Sequence, residues 1–184
     1  MKLTIERTGR AETFMIEGAS QLDILPGNFR NFRGEKRKAP NGKIVNDEGK
    51  RNFNLAFNLP DEALDDIAST GVLIKERAPR DEEYDRPLRF AKVNVAFGGK
   101  YPPELYLVSG KRMKQLTQGE LGLLDGARFT NVDLIIRTYH NEDSTTLYLQ
   151  KGYFTIENDP ISSKYADMEV GEFVADNEEL PFEE

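Results

Sequence analysis

The chain has no cysteine, a single histidine (His140), and no apolar run near the 18 or so residues that a membrane span needs. The first absence excludes a disulfide framework, thiol catalysis and thiolate metal sites together. The second makes a His-rich zinc or iron site a poor expectation, and no cofactor is expected. Met1 to Arg10 alternates charged and apolar residues without an apolar core segment, so no signal peptide is read there. A soluble protein of the cytoplasm is expected.

Charge is present in quantity, but unevenly. The formal net charge is −7, yet Glu157 to Glu184 holds ten acids against one base, leaving residues 1–156 at +2. Within that body, Asn28 to Asn52 carries eight Lys/Arg against three acids. This asymmetry says more about partners than the total does.

Residues 161–184 have few, scattered apolar side chains and are expected to be a largely disordered acidic tail. The domain proper, 1–160, is expected to end near Asp159-Pro160.

Most of the remaining signal has period two, the mark of half-buried strands. Arg51 to Asn58 alternates cleanly, with Phe53, Leu55 and Phe57 on one face. Leu88–Phe97, Glu104–Ser109, Phe129–His140 and Thr145–Glu157 read as further strands, and Asn141 to Ser144 as a hairpin turn. Asn28–Arg33, Val72–Arg77 and Glu12–Glu17 carry weaker strand signals. Pro60, the acids Asp61, Glu62, Asp65 and Asp66, and the closing Gly71 mark one helix. A shorter helix is expected through Gln118–Leu124. The class is therefore mainly β: an OB-fold-like antiparallel barrel with one or two short helices.

No active site emerges. There is no GxxxxGK[ST] loop and no GxSxG elbow, and Gly98-Gly99 leads to Lys100-Tyr101-Pro102-Pro103 rather than to a helix. The acids at Asp61/Glu62/Asp65/Asp66 suit a helix start, and those at Asp81/Glu82/Glu83/Asp85 a solvated loop. No enzyme is expected.

Binding chemistry is better represented. Phe29, Arg30, Phe32, Arg33, Lys36, Arg37 and Lys38 interleave rings with cations, and Lys43, Lys50 and Arg51 follow. Unpaired nucleic acid asks for that pairing, because cations track the backbone while rings stack on bases. The same residues fit a buried pair of rings beside a solubilising basic loop. Phe29 and Phe32 are three apart, so one strand cannot point both inward without a bulge. On the Phe129–His140 strand, inward Val132, Leu134 and Ile136 leave Arg137 and Tyr139 outward. Lys111 and Arg112 lie in an expected loop from Ser109 to Lys114. His140 reads as a surface turn residue, with base stacking or phosphate contact as the alternative.

The end of the tail sets Leu180, Pro181 and Phe182 within an acidic run, a pattern suited to docking on a protein groove with a basic rim.

With Arg51-Asn52-Phe53 opening a strand, the acidic helix Asp61–Ser69, the Leu105-Tyr106-Leu107-Val108 and Asn131-Val132-Asp133-Leu134-Ile135-Ile136 strands and the Leu180-Pro181-Phe182 tip, the chain resembles the single-stranded DNA-binding proteins of tailed bacteriophages. The likeness spans about residues 28–184. It implies an OB-fold core that binds single-stranded DNA in replication, recombination and repair, and an acidic tail that recruits replication or recombination proteins. Glu183 and Glu184 follow the Pro-Phe here, a departure from relatives that end on it. A homo-oligomer is left open. The competing expectation is an acidic DNA mimic that blocks a nucleic-acid enzyme.

Overall fold

Strand edges need hydrogen-bonding partners, and the described residues supply twelve strands to provide them. A computed structural model describes residues 1–79 and 86–157. In order they are β1 (Lys2–Thr8), β2 (Ala11–Ala19), β3 (Arg30–Asn31), β4 (Arg37–Lys38), β5 (Ile44–Asn46), β6 (Arg51–Ala56), β7 (Lys75–Arg77), β8 (Leu88–Val95), β9 (Glu104–Ser109), β10 (Arg112–Gln115), β11 (Phe129–His140) and β12 (Thr145–Ile156). The helix α1 (Asp61–Ser69) follows β6, a 3₁₀ turn (Gly27–Phe29) precedes β3, and a 3₁₀ helix (Gln118–Leu124) precedes β11.

Ten strands form one sheet along the path β1-β2-β11-β12-β8-β6-β3, with β7 added at β8 and the β9–β10 ribbon added at β12. The class expected from the sequence, mainly β and OB-like with short helices, is the class observed. The sheet is mixed rather than purely antiparallel. β12 runs parallel to β8 at Leu147↔Val93 and Tyr148↔Asn94, and parallel to β9 from Lys151↔Glu104 to Thr155↔Val108. The intervening hairpin, 3₁₀ helix and β11 make a connection long enough for that crossover. Among the described residues no pairing joins β1 to β3, so hydrogen bonds do not close the ring.

The inward face is apolar on every long strand. Phe14 and Ile16 of β2, Phe53 and Leu55 of β6, Val93 of β8, Val132, Leu134 and Ile136 of β11 and Phe154 of β12 are all almost fully buried. The Phe32 and Phe53 rings stack at 5.1 Å, and Phe154 meets them edge-on at 5.7 and 6.4 Å. Each ring contributes roughly 1.5–3 kcal/mol by leaving water. Gly152 makes this cluster possible, since a Cβ there would lie 2.6 Å from the Phe154 ring. Leu64 and Ile67 of α1 cap the core from one side.

β1, the short β4–β5 ribbon and β10 were not expected. The stretch 109–114, expected as a loop, is instead a tight β9–β10 hairpin around Gly110. No helix among the described residues is long and apolar enough to cross a membrane. The expected domain end near Asp159-Pro160, the tail 161–184 with Leu180, Pro181 and Phe182, and the acids at 81–85 lie outside the described residues.

Candidate nucleic-acid interface

The basic, aromatic stretch after residue 28 divides between core and surface. Arg30 is 1% exposed, and its guanidinium donates to the carbonyls of Ile24 (2.7 Å), Leu25 (3.1 Å), Ala127 (2.8 Å) and Leu124 (3.3 Å). It also lies 4.7 Å above the Phe129 ring. Burial pulls its pKa below the ordinary arginine value, and the charge of Asp125 works against that pull. Arg30 is thus a buried staple joining segments nearly 100 residues apart, and cannot meet DNA. Phe32 is fully buried in the core stack, which corrects its expected role as a stacking residue. Phe29, on the 3₁₀ turn, is half-buried and edge-on to Phe90 at 5.5 Å.

The other members disperse. Arg33 is exposed and pairs with Glu35 at 3.3 Å. Arg37 donates to the carbonyls of Asn28 and Arg30. Arg51 opposes Val95 and sits on the core side of β6, with its guanidinium 5.9 Å from the Phe97 ring. Arg137 lies on the opposite side of the sheet. Arg30, Arg33, Arg51 and Arg137 therefore do not line one cleft.

A different surface brings rings and cations together. The side chains that alternate with the core form the sheet's outer face. One cross-strand row there runs Asn52↔Asn94↔Tyr148↔Arg137↔Thr13 through β6, β8, β12, β11 and β2. Four inter-strand gaps of about 4.8 Å make it roughly 19 Å long. Tyr139, two residues beyond Arg137, is 62% exposed, and its ring meets Tyr148 edge-on at 6.4 Å. Arg10, Arg137, Tyr139 and Tyr148 line a shallow hollow of about 550 Å³.

At one end of this face lie Lys92, Lys75 and Lys50. Partial burial, and then the charges of Lys75 and Lys50, pull the Lys92 pKa below the ordinary lysine value. Lys50 also pairs with Asp47 at 3.4 Å, so the positive charge at this end is centred on Lys92 and Lys75, where an anion is favoured. The β4–β5 ribbon, with exposed Lys36, Lys38 and Lys43, borders the same end. It is tied down by Asn46, which accepts from Asn52 at 2.9 Å and donates to the Lys50 carbonyl at 3.0 Å. Phe29 continues the stripe, with Arg77 6.0 Å from its ring.

At the other end, Tyr106 of β9 and Tyr153 of β12 stack at 5.0 Å and 11°. Lys151 stands beside them and pairs with Glu104 at 3.2 Å, a hydrogen bond that raises the Lys151 pKa. Lys111 and Arg112 lie farther out, at the β9–β10 turn. Arg10, Lys75, Lys92, Tyr106, Tyr148, Lys151 and Tyr153 were not anticipated. The period-two alternation could have exposed Tyr148 and Tyr153, since each alternates with buried neighbours on β12.

His140, exposed at the end of β11 beside the turn, lines the same hollow as Arg137 and Tyr139. Its ring meets Glu12 Oε2 at 2.5 Å and Thr145 Oγ1 at 2.8 Å, while Thr138 donates to the same Glu12 oxygen at 2.6 Å. Burial alone would raise the Glu12 pKa, but the hydrogen bonds from Thr138 and His140, with the charges of His140 and Arg7, hold it below the usual carboxylate value. Among the described residues no cluster of His, Asp or Glu could hold a metal ion.

Comparison with curated proteins and with solved structures gives no match. A family model described as "Putative phage ssDNA-binding domain" matches residues 5–180. That match spans nearly the whole chain, including every strand of the outer face, and so the chain belongs to the phage single-stranded-DNA-binding domain family.

Proposed function

We propose that single-stranded DNA lies across the outer face of the sheet and is held there with little regard to sequence. Bases stack on Tyr139 and Tyr148 at one station and on the Tyr106/Tyr153 pair at another, since every base offers a π-face. Arg10, Arg137, Lys75, Lys92, Lys50 and Lys151 follow the phosphates. The observation that carries this reading is the cross-strand placement of Arg137 beside Tyr148, with Tyr139 and Arg10 in the same hollow. The mechanism has no catalytic step: it is charge neutralisation plus stacking.

The family membership and the chain's charge asymmetry support a wider role. The protein protects exposed strands during viral DNA replication, recombination or repair in the host cytoplasm. Its acidic tail, through Leu180, Pro181 and Phe182, recruits partner proteins and competes with DNA for the basic face. Removal of residues 177–184 then tightens DNA binding and abolishes recruitment. The DNA-mimic reading predicts no oligonucleotide binding at all. A fluorescence-anisotropy titration with labelled single- and double-stranded oligonucleotides, at two salt concentrations, tests the proposal. Flat curves for single strands would overturn it.

A further inference from the structure

β8 and β9 lie end to end along the same side of β12, one pairing with Leu147 and Tyr148, the other with Lys151 to Thr155. Between them the chain leaves the sheet as residues 96–103 and returns beside the point it left. Across from that seam the β11–β12 register shifts between Ile135 and Ile136, leaving Gln150 as the extra residue of a bulge. Bulges of this kind recur next to functional sites, where they re-aim neighbouring side chains. The seam also falls midway between the two aromatic stations, Tyr148 on one side and Tyr153 on the other.

The loop is anchored at both ends and free in the middle. Phe97 packs against the core beneath the Arg51 guanidinium, and Pro103 is buried. Between them Gly98 to Pro102 is exposed, and Tyr101 is 76% exposed. Among the described residues its ring meets Lys100, with Nζ 5.5 Å from the centroid.

Gly98 and Gly99 have no static reason to be glycine. Neither has the positive φ that eight other glycines of the chain adopt, and a Cβ at either would meet nothing within 4 Å. What remains is the chain freedom that glycine gives. On the far side Pro102-Pro103 stiffens the return. A flexible pair, a cation and ring, and a stiff pair make a hinged arm rooted at the seam between β8 and β9.

We propose that residues 96–103 form a clamp that pivots at Gly98-Gly99 and closes over single-stranded DNA on the outer face, with Tyr101 stacking on a base and Lys100 meeting the backbone. The clamp rests on the outer-face reading. Closure on bound ligand through such hinges slows release rather than entry.

The chain has no tryptophan, so Tyr101→Trp and Tyr139→Trp each create a single reporter. Both are titrated with a thymidine homo-oligomer, with anisotropy of a labelled copy recording binding. The clamp predicts quenching at position 101 with the same midpoint as at position 139. Tyr101→Ala should speed dissociation roughly 5- to 150-fold, the range of one lost base stack, and Tyr101→Phe should restore it. Quenching at 139 without quenching at 101, or an unchanged off-rate for Tyr101→Ala, overturns the clamp and leaves the outer-face reading standing. Binding by anisotropy with neither reporter quenched overturns both.

Discussion

Arg137 lies directly across the β11–β12 ladder from Tyr148, so a guanidinium and a phenol ring share one outward step of the sheet. Neither serves the core: the neighbours that alternate with them, Ile136 and Leu149, do that. No ion pair engages Arg137 among the described residues. An exposed cation beside an exposed ring contributes little to stability, and its natural use is on a ligand that offers both charge and a flat face.

Tyr139→Ala and Tyr148→Ala should each weaken oligonucleotide binding by about 1–3 kcal/mol, the worth of one base stack. Arg137→Ala should weaken it too, and make the slope of log K against log[salt] shallower by about 0.7. For the wild-type chain, four to six phosphate contacts imply a slope near −3 to −4. Thermal midpoints should hardly move, because Arg137, Tyr139 and Tyr148 are exposed and stand outside the core. Anisotropy across a salt series, with calorimetry of each variant, reads both quantities.

Arg30 predicts the reverse pattern. Arg30→Ala would leave three buried carbonyls and one half-buried carbonyl without their donor, at a cost of about 3 kcal/mol or more. Arg30→Lys should be nearly as damaging, since an ammonium cannot reach four acceptors spread as a guanidinium fork requires. Urea unfolding should show both losses. DNA affinity of the protein that remains folded should be unchanged; a large loss of affinity in Arg30→Lys without loss of stability would return Arg30 to the binding site.

That contrast explains what the sequence could and could not disclose. Period-two alternation gave β6, β9, β11 and β12 nearly to the residue, and put Val132, Leu134 and Ile136 inside and Arg137 and Tyr139 outside. These are local facts, set by the pleat. Arg30 could not be read the same way. Its acceptors on Leu124 and Ala127 come from nearly 100 residues away, and nothing near position 30 says that a cation will be buried. The Tyr106/Tyr153 stack was hidden for a like reason: it exists only because β9 docks parallel to β12, a pairing between segments that are not adjacent in the chain.

Acid should loosen the hydrogen bonds of Glu12 and Glu120. Glu12 sits below the ordinary carboxylate value of 4.5, despite the burial that opposes this, because Thr138 and His140 hydrogen-bond its charged form. Glu120, bonded by Lys114 and by Thr117 at the start of the 3₁₀ helix, is lowered to about 2. A depressed carboxylate stabilises the fold above its unfolded pKa, and that contribution is lost as pH falls through the folded value. The thermal midpoint should therefore drop as pH is taken from about 5 toward 2. Glu12→Gln and Glu120→Gln should each lower the midpoint at neutral pH and flatten part of that drop. An unaltered profile in Glu12→Gln would show that the Thr138–Glu12–His140 cluster carries no stability.

Lys92 separates stability from function most sharply. Its ammonium is disfavoured by partial burial and by Lys75 and Lys50, so in the free protein the charge is a strain on the fold. A bound phosphate would relieve that strain, which is how a site tuned for an anion differs from a solvated basic surface. Lys92→Met keeps the apolar stem and removes the charge. It should leave the thermal midpoint equal to or above wild type, while weakening oligonucleotide binding severalfold and making the salt slope shallower by about 0.7. Lys38→Met, on the exposed β4–β5 ribbon, provides the control and should change the midpoint little. If Lys92→Met lowers stability and leaves affinity untouched, the three lysines are not an anion site and the strand does not cross that end of the sheet.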